Sequence, residues 1–98
     1  MIKDIDDLIR KVSNAAKELG CNGETKRISD KKSIITHNKE NVEIRIEYSN
    51  EKKPELTIEG TNDEVAKAKG KMSDILTGLS SRLVEYNNSA RYEIDLPK

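Results

Sequence analysis

Phenylalanine and tryptophan are absent from this 98-residue chain, and its three aromatic residues are all tyrosines: Tyr48, Tyr86 and Tyr92. Apolar residues make up 34% of the sequence, below the ~45–50% of ordinary globular domains, so Ile, Leu and Val must supply most of the interior. The length suits a single domain over residues 1–98, since two would each fall near the lower limit for independent folding, and a core this thin favours a second copy or a partner to supplement it. Cys21 stands alone, which excludes an intramolecular disulfide, and the N-terminus lacks the apolar segment of a secretory signal. Both point to a reducing, cytoplasmic setting. No stretch approaches the ~18 apolar residues that span a bilayer, so no membrane association is expected. Excess charge of either sign is also missing: Lys+Arg and Asp+Glu are each 18, and the chain as a whole offers phosphate backbones no general attraction.

What is present is charge, at 37% of residues, and clear periodicity. Ile2, Ile5, Leu8, Ile9, Val12, Ala15, Ala16 and Leu19 fall on one helical stripe, predicting an amphipathic helix over 4–19. Asp4, Asp6 and Asp7 suit the positive end of its dipole, and Gly20 supplies a left-handed stop. Thr25–Ser29 and Lys32–His37, around Asp30-Lys31, read as two short strands of a hairpin. Val42, Ile44, Ile46 and Tyr48 alternate with Glu43, Arg45 and Glu47, the period of a strand with one buried face. A polar turn from Ser49 to Lys53 leads through Pro54 to Leu56 and Ile58, an antiparallel neighbour. The outer side of this pair, Glu43, Arg45, Glu47, Glu55, Thr57 and Glu59, is acidic and carries no aromatic ring on which a base could stack.

Gly60 ends that strand. Thr61 and Glu64 then have the spacing of a capping box, with Asp63 adding negative charge at the start of a second helix. Val65, Met72, Leu79 and Tyr86 repeat every seven residues, with Leu76 and Leu83 in the companion position, predicting a helix over 62–87, about 26 residues and ~39 Å long. Gly70, Gly78 and Ser80-Ser81 weaken it, and a break near Gly78 is the alternative. Arg91–Leu96 alternates again as a terminal strand ending at Pro97. The expected fold is α+β in α-β-β-β-α order: a single antiparallel sheet of three to four strands within 24–60, two helices packed on one face, and a terminal strand over 91–96.

Ile58-Glu-Gly-Thr61, followed by Glu64-Val-Ala-Lys-Ala-Lys69, Met72 and Ile75-Leu76, resembles the last strand and helix of a KH domain. Tyr92–Pro97 also looks like the first strand of such a module. In that family single-stranded nucleic acid is held by a GxxG loop between two short helices, and Gly20-Cys-Asn-Gly23 matches those letters. The context departs from the family pattern: the preceding helix is too long, and no strand stands before it. The resemblance implies single-stranded RNA or DNA binding at Gly20 and Gly23, with Lys26, Arg27, Lys31 and Lys32 as the adjacent phosphate contacts. A helix-sheet-helix order also looks like a double-stranded-RNA-binding domain, but Asn62, Asp63 and Glu64 stand where that family presents lysines.

Nothing in the sequence assembles a catalytic constellation, and no metal or cofactor is expected. His37 has no second His or Cys nearby. Cys21 follows a helix C-terminus, which does not favour a thiolate. A non-enzyme with two binding readings remains: nucleic acid at the 20–32 region, or a small regulatory or inhibitory protein that binds another protein. For the second, Leu79, Leu83 and Tyr86 form a helical seam beyond the sheet edge, predicting a homodimer.

Overall fold

A computed structural model describes residues 2–29, 32–49 and 51–97; the side chains of 24–29, 32 and 33 lie outside that description. The chain runs α1 (Ile5–Glu18), β1 (Asn22–Ser29), β2 (Lys32–Lys39), β3 (Val42–Ser49), β4 (Glu55–Gly60), α2 (Asn62–Ile75), β5 (Ser80–Tyr86) and β6 (Ser89–Asp95). All six strands join one antiparallel sheet in the order β1-β2-β3-β4-β6-β5. Because β6 is antiparallel to both of its neighbours, β5 runs parallel to β4. The β4-α2-β5 crossover therefore leaves a gap of one strand, which β6 turns back to fill.

The expected α-β-β-β-α order with three to four strands is overturned. The architecture is α+β with one sheet, but it holds six strands, and the second helix stops at Ile75 rather than continuing to residue 87. Leu76 caps α2, Gly78 follows at φ +89°, a conformation that costs glycine little, and the Thr77 hydroxyl donates back to the Ser73 carbonyl at 3.1 Å. Beyond that turn, Ser80–Tyr86 has a strand partner in β6, pairing residue for residue from Ser80 opposite Asp95 to Tyr86 opposite Ser89. The expected terminal strand over 91–96 is β6, which begins two residues earlier.

Periodicity elsewhere translates directly. α1 buries Leu8, Val12, Ala15 and Ala16, and its N-cap Asp4 accepts the Asp7 N–H at 2.8 Å. The capping box expected at α2 does not form: Thr61 occupies the N-cap without a side-chain hydrogen bond, its N–H donates to the Asn41 carbonyl at 3.0 Å, and the Glu64 carboxylate lies 3.1 Å from the Lys39 ammonium. β3 alternates buried Val42, Ile44 and Ile46 with half-buried Glu43, Arg45 and Glu47. Ile46 lies opposite Ile35 and Leu56, and Leu56 opposite Tyr92; Ile44 lies opposite His37 and Ile58. Both helices pack on this apolar face and on each other, α1 over β1 and β2, α2 over β4 and β6. The opposite face has no covering layer among the described residues. No helix among them is long and apolar enough to cross a membrane.

Candidate functional site

The open face is built from register. Alternating residues of β2, β3, β4, β6 and β5 align in three rows across the sheet. One row is Ile34, Glu47, Glu55, Glu93 and Arg82. The next is Thr36, Arg45, Thr57, Arg91 and Val84, and the third Asn38, Glu43, Glu59, Ser89 and Tyr86. Like charges directly across a strand pair are unfavourable, and the row of Glu47, Glu55 and Glu93 places three side by side; the arginines of the next row occupy the diagonal positions that offset them. Arg45 is 3.9 Å from Glu43. The expectation of an acidic outer side on β3 and β4 holds, but completing the sheet adds Arg82, Arg91 and one aromatic, Tyr86, 64% exposed.

The expected nucleic-acid residues do not form an open loop between helices. Gly20 lies in the turn after α1, at φ +89°, Cys21 is buried in the core, and Gly23 already belongs to β1, paired with His37. A Cβ at Gly23 would stand 3.0 Å from the His37 ring. Lys26 and Arg27 occupy β1 opposite Ile34 and Ser33, and Lys32 opens β2. Their side chains, and Lys31 as a whole, lie outside the described residues.

Two groups with chemical potential are occupied structurally. Burial pushes the Cys21 thiol up, away from the thiolate that nucleophilic chemistry needs. Burial, and then the Lys17 charge, push the His37 imidazole down from its usual value, leaving it neutral within the core. Among the described residues no group of three or more His, Cys, Asp or Glu is placed to hold a metal ion. Lys39 donates to the Leu19 carbonyl at 2.8 Å and faces Glu64, joining the negative end of α1 to the positive end of α2. That ammonium holds the Glu64 carboxyl below its usual range. At the same end of the sheet Gly60 donates its N–H to Asn88 (3.1 Å) and Thr61 to Asn41 (3.0 Å), closing three connections together. A Cβ at Gly60 would come within 2.2 Å of the Asn41 carbonyl, so only glycine fits.

The expected seam of Leu79, Leu83 and Tyr86 is dispersed by the change from helix to strand. Leu79 is half-buried against the core, Leu83 faces the helix side of β5, and Tyr86 the open side. Yet Leu83, 43% exposed, and Tyr86 are the large hydrophobic residues left exposed among those described, and both lie on β5. Among the described residues β5 pairs on one side only, so its other edge presents unpaired backbone groups. It is seven residues long, without proline or bulge. α2 packs over β4 and β6, leaving Leu83 beyond its cover. Sequence reasoning named Leu83 and Tyr86 for the wrong geometry and passed over Arg82 and Val84. The missed signal was a hairpin: alternating Arg82, Val84 and Tyr86, the Asn87-Asn88 turn, then alternating Arg91 to Asp95. Compared with known proteins, the chain matches no family model, no curated protein and no solved structure.

Proposed function

We propose that this chain is a non-enzymatic, cytoplasmic protein-recognition module whose β5 edge accepts an extended strand of another polypeptide. The observation that carries the reading is the coincidence on β5 of an open, bulge-free backbone edge with the exposed Leu83 and Tyr86. In strand addition the main chain provides affinity and alternate side chains provide selectivity. Here an added strand meets Leu83 on one face and Arg82, Val84 and Tyr86 on the other. The described part of the open face favours a protein over a nucleic acid: among the described side chains Glu43, Glu47, Glu55, Glu59 and Glu93 outnumber Arg45, Arg82 and Arg91, and such a surface repels phosphates. The lone, buried Cys21 agrees with a reducing compartment.

Selection of displayed random heptapeptides tests the reading. Expected are binders with alternating apolar residues that protect the β5 amides from hydrogen exchange and lose binding on Leu83→Lys. Binders indifferent to Leu83→Lys, or none at all from a monomeric chain, would overturn it. Single-stranded RNA in a filter-binding titration is the contrary probe. Retention that falls steeply with salt, and disappears when Lys26, Arg27, Lys31 and Lys32 become Gln, would move the function to the 26–32 segment.

A further inference from the structure

Resting on the reading of β5 as a recognition edge, we propose that its occupant is β5 of a second copy, paired antiparallel about a two-fold axis through Leu83. Facing residues of an antiparallel pair lie on the same side of the sheet, so a symmetric pairing must be centred on a residue rather than between two. Few centres keep most of a seven-residue strand paired. Centring on Arg82 sets two guanidinium groups opposite each other. Centring on Glu85 does the same with two carboxylates, and centring on Val84 sets Leu83 opposite Glu85, whose carboxylate the Lys69 ammonium holds at 2.8 Å.

Centring on Leu83 has none of these conflicts. Leu83 meets its own counterpart on the helix side, in the space beyond α2 where it is 43% exposed. Ser81 faces Glu85, a hydroxyl donor opposite a carboxylate. On the open side Arg82 faces Val84 with the Tyr86 ring on the diagonal, within reach of a cation–π contact, and Ser80 faces Tyr86. Every exposed apolar side chain of β5 gains a neighbour, and no like charges oppose each other. Two six-stranded sheets become one continuous sheet.

The sheet's other edge explains why the assembly closes at two. β1 shifts register between Arg27 and Ser29, an irregularity that bends an edge strand away from straight pairing, and its sequence carries Lys26 and Arg27. A β5-to-β1 contact would run on from copy to copy as a filament, whereas a β5-to-β5 contact uses up its own edge.

Sedimentation equilibrium of the wild type and cysteine cross-linking test the pairing together. The expected wild type has twice the 11.1 kDa chain mass at ~100 μM, and Leu83→Lys weakens association at least tenfold with an unchanged circular dichroism spectrum. Because Cys21 is buried, an added cysteine reports on its own position. Under mild oxidation Leu83→Cys should form a covalent dimer, since directly opposed residues lie ~4.5–5.5 Å apart between Cα atoms. Val84→Cys, opposite Arg82, should not. A monomeric wild type, a filament, or a dimer that cross-links through Val84→Cys and not Leu83→Cys would overturn the pairing. If the wild type is monomeric while selected heptapeptides still protect β5, strand addition stands and self-pairing falls; if it is monomeric and no heptapeptide protects β5, both fall.

Discussion

β1 and β5 end the same sheet in opposite ways. β1 is irregular and covered on one face: α1 packs over it and β2, its register shifts after Arg27, and its Gly23 lies against the His37 ring of β2. β5 has a continuous register, meets α2 through the Lys69–Glu85 ion pair at 2.8 Å, and carries the exposed Leu83 and Tyr86. The difference teaches that an open edge is not an unavoidable by-product of ending a sheet, since this chain finishes one edge with the devices that prevent pairing and leaves the other regular.

The comparison can be broken at the junction that joins the two halves. Gly60→Ala pushes a methyl group into the Asn41 carbonyl, parting the β2–β3 turn from β4, and is expected to destabilise the fold by ~3 kcal/mol, read as a lower urea midpoint. Both edges should then lose amide protection together. Gly23→Ala acts on β1 alone. Its Cβ must displace a buried imidazole ring, with an expected loss of ~1–2 kcal/mol, and hydrogen exchange should rise across 22–29 and 32–39 while β5 and β6 keep theirs.

Acid should sharpen the same contrast. The folded His37 has its pKa lowered, so as pH falls below the unfolded value of ~6.5 the unfolded chain binds the proton first. Stability therefore declines from about pH 6.5 down to the folded pKa, and a His37→Leu variant should lack that decline. Glu64 follows in a separate window. Its folded pKa is lowered by Lys39, so its contribution is present above the unfolded value near 4.5 and is lost as pH falls through the folded one. Urea midpoints measured between pH 7 and pH 3 distinguish the two steps.

Smaller effects are expected near β5. Gly78→Ala places a side chain at φ +89° in open space, so the cost is conformational and about 1 kcal/mol by thermal unfolding. Leu83→Ala, measured where the chain is monomeric, should change stability by only ~0.5 kcal/mol, because the side chain is already partly in water. A large loss there would mean that Leu83 holds the monomer together and would remove the contrast between the edges.

The amphipathic stripe from Ile2 to Leu19, the stop at Gly20, the alternation of Val42 to Ile46 and the strand-glycine-helix passage through Gly60 were all legible in the sequence. Each is a local pattern whose period or cap names one conformation, and the buried Leu8, Val12, Ile44 and Ile58 confirm the faces so assigned. The capping box at Thr61 was misread because both halves of the Glu64–Thr61 bond have partners far away in sequence: Lys39 for the carboxylate and the Asn41 carbonyl for the Thr61 N–H. Within residues 79–86 alone the local pattern is ambiguous, and only the Asn87-Asn88 turn with the alternation that follows it hints at a hairpin. Leu79, Leu83 and Tyr86 have helical spacing, while Arg82, Val84 and Tyr86 have strand spacing, and the same letters satisfy both. The backbone bonds and side-chain contacts offered by β6 decide between them, together with Gly78 turning the chain beforehand. Placing β6 between β4 and β5 is likewise a matter of pairing between distant segments. That placement makes β5 the outermost strand and leaves Leu83 and Tyr86 at an edge, so the candidate site exists only through tertiary structure.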